Sequence, residues 1–329
     1  MPVNSLAAAA MQWCVGLVLA CCALLGATQA MAADPPKAPG DTVADYWREV
    51  RQGMPGVSQV QGAEGGVMIN ARGETWRQQR NGPLKRYGGM ILLAMLGIIV
   101  LFYLVKGPMK LSEPPTGRKI QRFTPFERFA HWGTAITFIL MGLTGLAILF
   151  GRTVLGPLIG SDGLGGLLAL GKLVHNYLGP VFLAFTILLI FAFLRDNVWQ
   201  KCDTEWIAKA GGLFSSGGHV PSGRFNFGEK TWFWLGVTFL GLFVAATGLL
   251  LNFPALVDRT RDLMQNLVLL HAIGAVLLLA MSLGHIYMGT VGVEGALDSM
   301  KTGEVDETWA KEHHELWYED VKAGRSGHP

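Results

Sequence analysis

Five long apolar runs set the limits on what this chain can fold into. They lie at roughly 88–105, 129–150, 173–194, 231–253 and 263–293. Each is long enough, at about 1.5 Å of rise per residue, to cross about 30 Å of hydrocarbon. A backbone in lipid must satisfy its own hydrogen bonds, so it spans as a helix or as a closed barrel. Continuous apolar runs of this length, rather than short alternating ones, select helices. The expectation is an all-α integral membrane protein. Composition agrees: half of the 329 residues are hydrophobic and 16% are charged, with a mean hydropathy of +0.34, a balance that excludes an ordinary soluble globule. A formal charge of +3 without a basic run interleaved with aromatics argues against nucleic acid as a partner.

Residues 1–32 read as an exporting signal peptide, with an apolar stretch at 13–25 and an A-x-A cleavage site at Ala30-Met31-Ala32. No Lys or Arg precedes the apolar part, so an uncleaved anchor is the alternative. Cys21 follows Val18-Leu19-Ala20 in the manner of a lipoprotein box, but the chain stays apolar beyond it, which argues against that processing. Cleavage after Ala32 removes Cys14, Cys21 and Cys22 and leaves Cys202, so the mature chain makes neither an internal disulfide nor a thiolate metal cluster. Residues 33–87 form a polar segment with Gly and Pro punctuation, and "GGVMINARGETW" suggests a short strand or hairpin.

Two arguments orient the spans. Export by the signal puts 33–87 outside, in the periplasm, after which one span at 88–105 and four at 129–293 place the loops 106–128 and 195–230 and the tail 294–329 inside. The inside loops carry Lys106, Lys110, Arg118, Lys119, Arg122 and Arg128, then Arg195, Lys201, Lys209, Arg224 and Lys230; the opposite loops carry only Arg152, Lys172, Arg259 and Arg261. That is the asymmetry of the positive-inside rule. The basic cluster Arg77, Arg80, Lys85 and Arg86 before the first span runs against it, and an exporting signal overrides that conflict.

Four histidines lie within the runs: His131, His175, His271 and His285. An ionisable ring at membrane depth is expensive and marks function by default, although a single one is also explained by an interhelical hydrogen bond. His271 and His285 are fourteen residues apart, which returns them to within about 40° of one helix face and separates them by about 21 Å along the axis. His131 follows Arg128 at the inner end of its span, and His175 follows Lys172 at the outer end of its own. Depth therefore pairs His131 with His285 toward the cytoplasm and His175 with His271 toward the periplasm. Two levels with two imidazoles each suit haem, whose iron takes axial histidines and whose body suits an apolar slot. Zinc wants four ligands at one point. A proton-coupled transporter is the alternative from another class, but no Asp or Glu lies near these rings in the spans. His219, His313, His314 and His328 read as solvated loop or tail residues.

The motifs "RFAHWG", "GKLVHNYLG", "LLHAIG" and "GHIYMG", in that order and followed by "WAKEHHELWY", resemble the gamma (cytochrome b) subunit of membrane-bound formate dehydrogenase, over about 118–318. The resemblance implies a four-helix dihaem cytochrome b bundle in the bacterial inner membrane, here with one additional N-terminal transmembrane helix. It implies two haem b, with His131 and His285 on the cytoplasmic-side iron and His175 and His271 on the periplasmic-side iron. It also implies partners: a molybdenum- or tungsten-containing catalytic subunit that oxidises formate outside, and an iron–sulfur beta subunit that delivers electrons for membrane quinone. Assembly into a higher oligomer of that complex is compatible with it. The segment "SGRFNFGEKTWFW" resembles the family's quinone-site stretch, which assigns Asn226 and Gly228 to quinone binding, with Glu229 standing where Gln occurs in some members. Without the resemblance, the same residues read as a turn and a helix start. The cytochrome b subunit of a nickel–iron hydrogenase, or of another quinone-linked oxidoreductase, shares the haem logic and differs in partner. The acidic tail residues Glu312, Glu315, Glu319 and Asp320 are open to either partner contact or plain solvation.

Overall fold

The computed structural model describes residues 43–52, 72–212, 220–257 and 260–325, so the expected signal segment 1–32 lies outside the described residues. Five helices are long and apolar enough to cross a membrane, one for each apolar run: α2 (Gly73–Lys106), α3 (Pro125–Val154), α4 (Gly156–Phe193), α6 (Phe227–Asn252) and α7 (Arg261–Gly292). Short helix α1 (Val43–Arg51) precedes them in sequence, α5 (Lys201–Ala208) lies between α4 and α6, and α8 (Ala296–Thr302), α9 (Glu307–His313) and α10 (Glu315–Lys322) follow. The described residues divide into two compact units, one formed by residues up to 89 with 246–274 and the other by 90–245 with the remainder from 275.

In the first unit, the polar segment before the first span is fastened to the start of α7. The Trp76 indole donates to the Gln265 carbonyl at 3.0 Å, and Arg72 lies 3.6 Å from Asp262. The expected hairpin is corrected at its end: Gly73–Trp76 form the first turn of α2, and residues 53–71 are outside the described set. Pro83 sits within this helical run, where a five-residue π-turn, Arg80–Leu84, absorbs its missing N–H.

In the second unit, α3 starts on a complete capping box. Thr124 Oγ1 accepts the Glu127 N–H at 3.2 Å, Glu127 returns the bond to the Thr124 N–H at 2.7 Å, and Pro125 occupies the first turn. Such a cap is worth about 1 kcal/mol. α3 packs along α4, and the apolar core joins Phe123, Ala130, Leu189, Phe193, Phe233 and Val237, then Phe182, Leu240, Val244, Ala245 and Leu278. Three hydroxyls in this core donate back along their own helices, Thr137 to Gly133, Thr186 to Phe182 and Ser282 to Leu278, which satisfies them without water. Along α2, by contrast, Leu93, Ile98, Leu101 and Leu104 stay exposed, the face a lipid-bathed helix presents.

The tail folds back on the loop between α2 and α3. Strand β1 (Lys119–Gln121) pairs antiparallel with β2 (Glu304–Asp306), in the register Ile120 to Val305. Val305, Trp309, Ala310, Trp317 and Tyr318 form a separate core beneath it. The loop's own backbone donors are taken by tail carboxylates: Glu312 accepts from Ser112 and Glu113, and Asp306 from Thr116 and Gly117. The tail is therefore neither free nor merely solvated, because the loop has no helix or ladder of its own to satisfy these N–H groups.

Glu307 is buried at 7% exposure. Hydrogen bonds from Lys322, then Tyr318, then Arg118 hold its carboxyl at about 2, against an ordinary 4.5. A folded value below the ordinary one means that the charged form's contribution is complete above 4.5 and is lost as pH falls towards 2. Glu307→Gln is expected to lower the unfolding temperature of the full chain in detergent at neutral pH. The difference from wild type should narrow as pH drops through that window, measured by paired melts across the range.

Candidate haem-ligand sites and the segment beside them

His131 on α3 and His285 on α7 face one another with ring centroids 6.3 Å apart. Metal–imidazole bonds are about 2 Å long, so a single metal ion fits between two rings held this way. Each ring is held by an aromatic neighbour. Trp232 stacks on His285 at 4.7 Å and 13°, and Trp132 meets His131 edge-on at 5.4 Å while its indole donates to the Met300 carbonyl at 2.9 Å. Trp232 opens a ten-residue π-helical stretch, Trp232–Gly241, a widening that typically accompanies functional sites. His131 Nδ1 is buried without a hydrogen-bond partner. Two facing imidazoles at this separation fit an axial haem pair. Among the described residues, no three His, Cys, Asp or Glu side chains converge as a metal cluster would require.

His175 on α4 and His271 on α7 each lie against a threonine and a glycine. His175 Nδ1 is 2.9 Å from Thr144 Oγ1, whose own proton goes to the Leu140 carbonyl at 2.8 Å. The threonine oxygen therefore accepts, Nδ1 carries the hydrogen, and the lone pair is on Nε2, the tautomer a metal ligand needs. His271 Nδ1 is 3.2 Å from Thr247 Oγ1. A Cβ on Gly145 would meet His175 Cε1 at 3.4 Å, and one on Gly248 would meet His271 Cε1 at 3.0 Å. Thr144 and Thr247 were not singled out from the sequence, although the signal was present: Thr-Gly-Leu occurs at Thr144-Gly145-Leu146 and again at Thr247-Gly248-Leu249.

Asn226, Gly228 and Glu229 come together as the start of α6. Asn226 Oδ1 accepts the Glu229 N–H at 3.0 Å, Glu229 Oε2 accepts the Asn226 N–H at 2.9 Å, and a Cβ on Gly228 would approach both Asn226 Oδ1 and the Trp206 ring at 3.2 Å. The segment borders a cleft of about 270 Å³ lined by Asn197, Trp199, Phe227, Lys230, Thr231, Trp234 and Leu235. Glu229 Oε1 also accepts from Arg122 at 3.1 Å.

Several residues read from the sequence only as topology markers or solvated groups are buried here. Burial holds the Arg122 guanidinium below its ordinary value, against the opposing pull of Glu229. Arg224 grips Glu127 with both terminal nitrogens, at 2.8 and 2.9 Å, and Lys230 pairs with Asp203 at 2.8 Å. His314, expected in solvent, is 1% exposed; His313 is half-buried, and His219 and His328 are outside the described residues.

This arrangement is that of a membrane cytochrome b, all-α in its spans and multi-pass. The chain belongs to the family described as prokaryotic cytochrome b561, which matches residues 122–303, a family of membrane electron-transfer haem proteins. It is 30% identical, over 205 residues, to the formate dehydrogenase cytochrome b556(fdo) subunit of Escherichia coli (strain K12), covering 62% of this chain and 93% of that protein. The nitrate-inducible formate dehydrogenase cytochrome b556(Fdn) subunit of the same strain is 24% identical over 209 residues, with the same shares covered. The formate dehydrogenase cytochrome b556 subunit of Haemophilus influenzae (strain ATCC 51907 / DSM 11121 / KW20 / Rd) is 27% identical over 216 residues, 62% of this chain and 83% of that protein. The expected kinship with formate dehydrogenase cytochrome b subunits is thus borne out.

The glycines beside the imidazoles are testable. Gly248→Val is expected to push the His271 ring aside and to lower the b-type haem bound per chain. Gly97→Val, at a position with nothing within 4 Å, should leave haem content unchanged. Absorption spectra of the two purified variants decide.

Proposed function

We propose that this chain is the membrane-anchoring, two-haem b subunit of a respiratory formate dehydrogenase. In this reading it receives electrons from a molybdenum- or tungsten-containing catalytic subunit through an iron–sulfur subunit and delivers them to quinone. The observation that carries the reading is the facing pair His131 and His285 at 6.3 Å, in a chain whose relatives are named as formate dehydrogenase cytochrome b556 subunits. His131 and His285 hold the haem nearer the cytoplasm, and His175 and His271 hold the one nearer the periplasm. The likeness of the threonine contacts at His175 and His271 supports giving them one role. Haem b, when bound, supplies one-electron transfer.

The chain's own residues do the rest. Thr144 and Thr247 orient their imidazoles through Nδ1, and Trp232 fixes the plane of His285. The segment Asn226–Glu229, with its aromatic cleft, is where a quinone ring is bound. The two carboxylate oxygens of Glu229 are shared between its own helix cap and Arg122, so the carboxylate is held rather than swinging. The membrane is the bacterial cytoplasmic membrane, with residues 33–87 in the periplasm and the tail in the cytoplasm, as the distribution of Lys and Arg supports.

The purified chain is expected to show b-type bands with two haems per chain, and His285→Ala is expected to lose one and keep the other. A spectrum without haem bands overturns the cytochrome reading and leaves the proton-coupled transporter. Retention of both haems in His285→Ala overturns the ligand assignment. Co-purification with formate-dependent quinone reduction identifies the partner, and hydrogen-dependent reduction in its place would identify the hydrogenase alternative.

A further inference from the structure

The tail histidine of "WAKEHHELWY" is buried against the segment assigned to quinone. Arg122 can only donate hydrogen bonds, and its Nη2 lies 3.0 Å from His314 Nε2. Nε2 therefore accepts. The remaining ring nitrogen, Nδ1, carries the hydrogen and donates to the Gly223 carbonyl at 2.8 Å. The same Nη2 reaches Glu229 Oε1 at 3.1 Å and the Arg224 carbonyl at 2.9 Å. The tail adds a second support, because the Trp309 ring centroid lies 4.8 Å from the guanidinium, as does that of Phe123. Ser222 closes the clasp, with its hydroxyl donating to the His313 carbonyl at 2.7 Å and its carbonyl accepting from Leu316.

A buried guanidinium left without its acceptors carries a heavy desolvation penalty, so Arg122 keeps its place only while these acceptors are supplied. Glu229, 36% exposed at its side chain, is met by Arg122 at 3.1 Å, with His314 Nε2 3.8 Å away. We propose that His314, through Arg122, is a positioning residue for Glu229 and hence for quinone binding: the C-terminal tail is a strap that sets the geometry of the Asn226–Glu229 segment. The inference rests on the quinone assignment made above, and the residue lies beyond the stretch matched to the family, 122–303.

The test is a calorimetric titration of the full-length protein in detergent with menadione, a soluble quinone, with the haem absorption spectrum recorded for each variant. His314→Ala is expected to raise the dissociation constant about tenfold, the scale of one lost charge-assisted hydrogen bond, with the haem spectrum unchanged. His314→Gln, which places an amide oxygen where Nε2 accepts, is expected to restore near wild-type binding. Glu229→Gln separates the two readings. If it weakens menadione binding while His314→Ala does not, the strap is refuted and the quinone site stands. If neither variant weakens binding, the quinone assignment fails first. Loss of haem bands in His314→Ala, or no rescue by His314→Gln, reduces His314 to a packing role and overturns the proposal.

Discussion

An imidazole in hydrocarbon must be given a partner, and most of this architecture can be traced to that need. Lipid offers no hydrogen bonds, so each ring within the spans has to be met by a hydroxyl, an aromatic face or a metal. Thr144 and Thr247 meet two of the rings through Nδ1, and glycines follow both threonines, where a Cβ on Gly248 would crowd the His271 ring at 3.0 Å and one on Gly145 would just touch that of His175. Trp232 meets His285 face to face. His131 meets Trp132 edge-on and faces His285 across 6.3 Å, and its Nδ1 is buried without a partner. The hydroxyls of Thr137, Thr186 and Ser282 obey the same rule with their own helices as acceptors.

Where the spans end, the rule changes from hydroxyls to charges. Arg122, Arg224 and Lys230 are buried, and each is answered by a carboxylate: Glu229, Glu127 with Asp196, and Asp203. Buried ion pairs of this kind gain little net stability, since desolvation consumes most of the attraction, but removing one partner leaves an uncompensated charge. They specify an arrangement more than they strengthen it. Three of the carboxylates have a second task, as Glu127, Asp203 and Glu229 all close capping boxes at helix starts, so the same groups that neutralise the buried cations fix where α3, α5 and α6 begin.

The parts legible in the sequence were those with a strong one-dimensional signature. Continuous apolar runs announced five spans, and four histidines inside them stood out because nothing else polar of that kind is there. The bounds were less legible. α4 begins well before 173, with a break at Gly160 (φ 72°) after its first residues, since this stretch is glycine-rich and carries no decisive hydropathy. Thr144 and Thr247 escaped notice because a threonine in a span is ordinary until the ring it touches is known. The start of α6 was visible both as a turn and helix start and, by resemblance, as a quinone segment; the capping box satisfies the first reading in full. His314 and Glu312 were invisible for a different reason. Their contacts reach across the chain to Arg122 and Ser112, and a polar, charged tail gives no local sign that it will be buried.

The pairing of Lys119–Gln121 with Glu304–Asp306 joins residues that leave the ribosome at very different times. All five spans are synthesised before β2 exists, and at ordinary translation rates of about 5–20 residues per second the first span precedes β2 by about 10 s or more and the last by about 1 s. During that interval Arg122 lacks the tail's acceptors and the loop between α2 and α3 lacks the carboxylates that satisfy its backbone. Completion of this end of the molecule therefore follows synthesis of the spans, and a chain truncated before residue 304 would insert its spans yet never finish that end.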